Sequence, residues 1–213
     1  MKEPNRVRKN EIKYNITLDT QQKEVKAGIY EKDVTIILGD FGSGKTATAA
    51  LSALDLLFKG QVDRIYITRP IDFGATGYLT GGIEEKLQYH IFPIKQNFYE
   101  SYNKEKIDSL FKEGKIQIIP IDYMKGMTFC NSVTIVDEFE DINFGDFKKI
   151  LTRLGQGSKL IFTGSEEQIE IKDSCIHRIK CLKNCENVNY HVLTGQHRNE
   201  NIQKILDYIQ ENA

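Results

Sequence analysis

A length of 213 residues allows one substantial core with short appendages, and a composition of 40% hydrophobic and 28% charged residues is ordinary for a globular chain. A formal net charge of −1 removes any global argument for non-specific nucleic-acid binding. No apolar stretch approaches the length of a membrane span and no signal-peptide core stands near Met1, so a cytoplasmic protein is expected.

Met1–Lys13 carries five basic residues (Lys2, Arg6, Arg8, Lys9, Lys13) against two acids (Glu3, Glu11). This reads as a solvated, mobile arm (residues 1–13), with nucleic-acid contact as the alternative, ahead of one domain over residues 14–213. Gln22 follows Leu18-Asp19 and precedes the first strand. Its amide has the donor–acceptor pair needed to read an adenine edge, although a surface helix position is the default for it. Val34–Leu38 is an apolar strand, followed by Gly39-Asp40-Phe41-Gly42-Ser43-Gly44-Lys45-Thr46 and then the helix-prone Ala47–Phe58. Glycine, four residues, then Gly-Lys-Thr between a strand and a helix is the P-loop pattern. Glycines let successive N–H groups point at one anion, and the helix start adds positive potential. The loop from Gly39 to Thr46, with Ala47, is therefore the expected ATP site. Lys45 is expected on the β- and γ-phosphates and Thr46 on Mg²⁺. Asp40 is awkward beside polyphosphate and is expected to point to solvent.

Arg64–Thr68 reads as a second strand, ending at Arg69-Pro70, where a cation at the sheet's carboxyl edge suits a nucleic-acid phosphate. Arg69–Gly114 is the least regular stretch, with Gly74, Gly77, Gly81 and Gly82 near its start and helical patterning around Ile83–Tyr89 and Lys104–Glu113. Strands are predicted over Lys115–Ile119 and Val133–Val136, the latter running into Asp137-Glu138. Beside a P-loop, Asp137 is expected to hold Mg²⁺, and Glu138 to orient and deprotonate an attacking water. Phe147, Ile150, Leu151 and Leu154 mark a helix over Gly145–Leu154. Arg153 stands roughly 110° from the centre of that apolar stripe, which makes it an arginine-finger candidate or a solvated surface residue. Lys159–Thr163 is a further strand leading to Gln168, a candidate γ-phosphate sensor. Cys175, His177, Cys181 and Cys185 raise the question of zinc, but lack paired Cys-x2-Cys knuckles and are expected to be reduced and metal-free. Val188–Leu193 completes the strands. Ile202, Ile205, Leu206 and Ile209 then mark a C-terminal helix with Asn199 as N-cap and Arg198 as a second finger candidate. Strands alternating with helices predict a three-layer α/β sandwich with a mostly parallel sheet.

The chain resembles the PhoH-like family of P-loop ATPases, related to the first motor domain of superfamily-one helicases. The resemblance runs from about Leu18 to about Glu211. It rests on Gly39–Thr46, Ile67-Thr68-Arg69-Pro70, Gly77-Tyr78-Leu79-Thr80-Gly81 and Glu85-Lys86-Leu87, then Tyr123-Met124-Lys125-Gly126-Met127-Thr128, Val136-Asp137-Glu138 and the segment Leu151–Lys159. It implies a RecA-like core, Gln168 as sensor glutamine, and Gln22 as an adenine contact. It also implies that Arg153 and Arg198 suit contact with nucleotide across a subunit boundary. The chain departs from the family at Gly164-Ser165, where Gly-Asp is usual, at Lys125, and at Asp40-Phe41. Losing the acid at Ser165 predicts slower hydrolysis. A short, divergent, phage-encoded member, acting in host cytoplasm, fits these departures. An ATPase coupled to RNA or single-stranded nucleic acid is the leading expectation, in a homo-oligomeric ring such as a hexamer, because no second RecA-like domain is present to close over ATP. The alternatives are a slow nucleotide-dependent switch acting on a protein partner, and a small-molecule kinase, which a water-activating Glu138 disfavours.

Overall fold

The strands alternate two sets of apolar side chains along one backbone. Ile37, Ile67, Ile135 and Ile161 belong to one buried cluster, and Ile36, Leu38, Val136 and Phe162 to another. A strand buried on both sides has no polar face, which explains the nearly continuous apolar runs. The computed structural model describes residues 12–70, 83–124, 126–195, 204, 205 and 208. The strands are β1 (Val34–Gly39), β2 (Arg64–Thr68), β3 (Ile116–Ile118), β4 (Ser132–Asp137), β5 (Lys159–Gly164) and β6 (Val188–Leu193). All pair in parallel, in the order β3-β2-β4-β5-β1-β6. All six strands expected from the sequence are present, shifted by no more than one residue at either end.

The helices are α1 (Thr20–Glu31), α2 (Lys45–Phe58), α3 (Ile83–Ser101), α4 (Lys104–Lys112), α5 (Ile121–Met124), α6 (Phe144–Leu151) and α7 (Ile176–Ile179). Residues from α1 to α4 cover one face with Val25, Leu54, Phe98 and Ile107, while α6 and α7 cover the other with Phe147, Ile150 and Ile176. Helix α3 runs well beyond the expected Ile83–Tyr89. Pro93 breaks the propensity signal because it lacks a donor and crowds the preceding turn. Ile94 and Phe98, four residues apart and fully buried, hold the second half against the core. Helix α6 ends at Leu151; Arg153 and Leu154 lie in the turn beyond it, where Leu154 bridges Phe129.

β5 sits between β1 and β4, with Leu38 opposite Gly164 and Asp137 opposite Thr163. The carboxyl ends of three adjacent strands therefore bring the phosphate loop, the acidic pair and the residues after β5 to one edge. Ligands bind at that edge in open α/β sheets. Residues 1–11, Gly74 to Gly82, Lys125, Arg198, Asn199, Ile202, Leu206 and Ile209 lie outside the described residues. Lys204, Ile205 and Tyr208 are helical.

Candidate functional site

The loop between β1 and α2 curls because its glycines permit it. Gly39, Gly42 and Gly44 have φ of +151°, +78° and +79°. A Cβ at Gly39 would stand 2.5 Å from the Leu193 carbonyl oxygen, so β6 also demands glycine there. Gly44 caps α2 without a side-chain bond, leaving the helix start turned towards the loop. The Lys45 Nζ donates to the carbonyls of Gly39 and Asp40, at 2.6 and 2.9 Å. Asp40 itself is exposed, as expected. Its carbonyl also accepts from Ser43 N and Oγ, at 3.3 and 2.9 Å. This residue organises the loop through its backbone while its carboxylate faces water.

Thr46 Oγ1 donates to Asp137 Oδ1 at 2.9 Å, and Thr163 Oγ1 donates to the same oxygen at 2.5 Å. Two elements remote in sequence thus converge on one carboxylate, which is 6% exposed. The arrangement fits Mg²⁺: with its proton given to Asp137, the Thr46 hydroxyl keeps lone pairs free. A hard oxygen pair of this kind is what an ion that retains several waters uses. Among the described residues, no group of three or more His, Cys, Asp or Glu is placed to hold a metal. Cys175 is buried with its Sγ on the Phe139 carbonyl, and Cys181 is exposed.

A cleft of ≈ 210 Å³ opens here, lined by Phe41, Gly42, Gly44, Lys45, Thr46 and Ala47 from the loop and α2. Asp137, Glu138, Glu140, Thr163, Gly164, Gln168 and Asn97 close its other sides. The expected phosphate, metal and water residues therefore share one cavity with Gln168, whose Nε2 is buried without a partner. Glu138 has the left-handed φ of +51° at the end of β4, and its carboxylate is ion-paired with Arg69. Burial pushes the Glu138 carboxyl up, Arg69 pulls it down, and Asp137 pushes it up again; the net shift is upward. Arg69 thus sits at the site's edge, bound to the residue expected to activate water.

Gln22 departs from its default surface reading. It is 5% exposed, the third residue of α1, and part of a capping box with Asp19. Its amide donates to the Ser43 carbonyl at 3.4 Å, bracing the phosphate loop. Arg153 does not join the cleft. It lies beyond α6 where Phe129 N donates to its carbonyl, at the sheet edge opposite the P-loop, and its Nε is buried without a partner. Ser165, where the family's acid is absent, is fully buried and its Oγ accepts from Glu167 N at 3.2 Å.

Three lining residues carry no expectation from the sequence. Thr163 reads only as a strand end, and Asn97 lies on the unexpected half of α3. Glu140 stands two residues past Glu138 in Asp137-Glu138-Phe139-Glu140, and an acid beyond a strand end reads as surface. Here the short 3₁₀ turn Phe139–Asp141 folds it back, 2% exposed, against Gly164. Burial pushes its carboxyl up to about 7, against hydrogen bonds from its own and the Ser165 backbone.

Among solved structures, the large terminase of a thermophilic bacteriophage matches with a TM-score of 0.56 at 13% identity, covering 90% of this chain and 50% of that one. The Pif1 helicase of Candida albicans matches with a TM-score of 0.51 at 14% identity, covering 92% and 44%. These likenesses place the fold among RecA-like P-loop domains. In sequence, the PhoH-like protein of Synechocystis is 39% identical over 153 residues, 71% of this chain and 46% of its own length. That of Bacillus subtilis is 33% identical over 152 residues, 70% and 48% respectively. Protein PhoH of Escherichia coli K12 is 32% identical over 147 residues, 67% and 42%. The chain thus spans about half the length of these relatives. With the family pattern described as PhoH-like protein matching residues 16–210, this chain belongs to the PhoH-like family.

Proposed function

We propose that the chain binds Mg-ATP in the P-loop cleft and hydrolyses it, with turnover coupled to RNA or another single-stranded nucleic acid. The observation that carries this reading is the bond from Thr46 Oγ1 to Asp137 Oδ1 at 2.9 Å, which ties the phosphate loop to the acid of a different strand. Lys45 exchanges its two loop carbonyls for phosphate oxygens. Thr46 and Asp137 would hold the magnesium, which would supply positive charge against the phosphates. Glu138 accepts a proton from the attacking water as the water oxygen bonds the γ-phosphorus and the bond to the β-phosphate oxygen breaks. Gln168, in the same cleft lining, orients that water or reports the γ-phosphate.

Arg69 is the proposed nucleic-acid contact. It pairs with Glu138, so a phosphodiester that draws Arg69 away leaves the carboxylate free to act as base. Arg153, remote from this chain's own cleft, meets a nucleotide only in a neighbouring copy. It and Arg198 are therefore the proposed fingers of a homo-oligomeric ring. The second reading is a slow nucleotide switch for a protein partner, favoured by the occupied Glu138 and by Ser165 in place of an acid.

The test is ATP turnover with and without single-stranded RNA and DNA, alongside solution mass. Stimulated turnover by an oligomer supports the first reading. Nucleotide binding with negligible, unstimulated turnover replaces it with the second. Nucleotide binding unaffected by Lys45→Ala sinks both.

A further inference from the structure

The cleft lining includes a carboxyl group, that of Glu140, for which the proposed hydrolysis has no use. Glu140 is 2% exposed, and its Oε2 is enclosed without a hydrogen-bond partner. A Cβ added at Gly164 would stand 2.5 Å from that oxygen and 2.7 Å from the Phe139 ring, so the end of β5 is shaped around the Glu140 carboxyl. The same residue lines both the phosphate cleft and a second hollow, of ≈ 550 Å³, that continues from it past Phe41 and Gln168. A buried acid with half its acceptors unmet is costly to keep for packing alone.

We propose that Glu140 takes up a proton when a nucleoside triphosphate, but not a diphosphate, enters the cleft, and so makes the site discriminate by the γ-phosphate. The inference rests on the nucleotide reading of the P-loop. The physical reason is the balance of charge around this one group. Glu138 and Asp141 flank it on its own turn and Cys175 faces it from the start of α7. Asp137, at the end of β4, lines the same cleft. Glu167 and Glu170 line the outer hollow beyond β5. Among the described residues lining the two hollows, the cations are Lys45, at the start of α2, and Arg69, already paired with Glu138. A γ-phosphate adds negative charge to an enclosure that is already acidic, where like charges interact strongly. Glu140 relieves the repulsion by becoming neutral, and the acid form supplies a donor that the carboxylate lacks. Burial already pushes its carboxyl up to about 7 before any ligand arrives, so added negative charge nearby shifts it further towards the acid form. The α- and β-phosphates rest on the loop amides and leave Glu140 as it was. When the γ-phosphate leaves after hydrolysis, the proton returns to water.

The experiment is titration calorimetry of the full chain with Mg-ADP and with a non-hydrolysable Mg-ATP analogue, in two buffers of different ionisation enthalpy. Magnesium is common to both arms, so its charge cancels. At pH 7.5 the analogue is expected to take up about half a proton or more beyond ADP. Its affinity is expected to fall about tenfold from pH 6 to pH 8, while that of ADP stays level. Glu140→Gln, neutral at every pH, is expected to abolish both differences; any proton the analogue itself carries remains in that variant and is subtracted. Equal proton uptake for the two nucleotides in the parent overturns the inference without needing any variant. Excess uptake that persists in Glu140→Gln also overturns it. Absence of ADP binding removes the P-loop reading and this inference with it, whereas normal ADP binding with no excess removes this inference alone.

Discussion

Arg69 and Glu138 form an ion pair across neighbouring parallel strands, the first immediately after β2 and the second immediately after β4. Thr68 pairs with Val136, so the register delivers both residues to the same edge. The pair is half-open to solvent, with side-chain exposures of 23% and 36%, which leaves Arg69 within reach of an incoming phosphate. A charge pair so exposed contributes little stability and can exchange partners at small cost.

Arg69→Ala is expected to abolish stimulation by single-stranded nucleic acid while leaving basal turnover at pH 8 equal to or above the parent. Because Arg69 holds the Glu138 carboxyl down, its removal lets that carboxyl rise further. The acidic limb of the turnover–pH profile therefore moves to higher pH. Stimulation that survives in Arg69→Ala excludes the coupling.

Glu138→Gln keeps the shape of the site and removes the proton acceptor. A loss of about 10²–10⁴-fold in turnover is expected, with nucleotide affinity unchanged. Lys45→Ala is expected to weaken binding itself, since its ammonium is the cleft's main cation towards phosphate. Single-turnover kinetics beside direct binding separates the two; a Glu138→Gln variant of normal turnover would move the base to another residue.

The sheet and phosphate loop are legible in the sequence because local pattern and global role coincide there. Apolar runs such as Val133–Val136 can be buried only as central strands, and Gly39–Thr46 has one use between a strand and a helix. Glu140 is not legible because its burial depends on the left-handed turn at Glu138 and on the absence of a side chain at Gly164, both tertiary facts. The surface reading of Gln22 fails for a similar reason: capping α1 and touching Ser43 are one geometry, invisible until the helix is docked. The helical period sets Arg153 off the apolar stripe, but helical angle says nothing of which end of the sheet a residue reaches.

Glu140 also carries a stability prediction. Its carboxyl is raised from about 4.3 when unfolded to about 7 when folded. The folded state therefore binds the proton more tightly, an advantage fully present below about 4.3 and lost as pH rises through 7. Above pH 7 the ionised, sealed carboxylate costs on the order of 3 kcal/mol. Glu140→Gln is expected to match the parent in urea unfolding near pH 4.5 and to exceed it at pH 8 by about 1–3 kcal/mol. A variant less stable than the parent at pH 8 contradicts this, and points to a carboxylate held by partners the fold does not display.

Asp55 shows the opposite linkage near the C-terminal end of α2. It is 3% exposed and receives Tyr14 and Tyr30 hydroxyls at 2.8 and 2.6 Å, and the Lys26 and Lys59 ammonium groups at 2.6 and 3.0 Å. Burial pushes its carboxyl up. The bonds from Lys26, Tyr30, Lys59 and Tyr14 outweigh that and hold it well below the usual carboxylate range. The Tyr30 hydroxyl is pushed up to about 12 by burial and by the same carboxylate. A depressed carboxyl stabilises the fold above its unfolded value, about 3.9, and the contribution disappears as pH falls through the folded value. Asp55→Ala strips the anion from two lysines and two phenols at once and is expected to cost about 3–5 kcal/mol at pH 7, the scale for breaking a buried charge pair. Chemical unfolding at pH 7 and pH 3 checks the sign: the gap between variant and parent should narrow at pH 3. A gap that stays constant would place the loss in packing around α1 and α2 rather than in the charge.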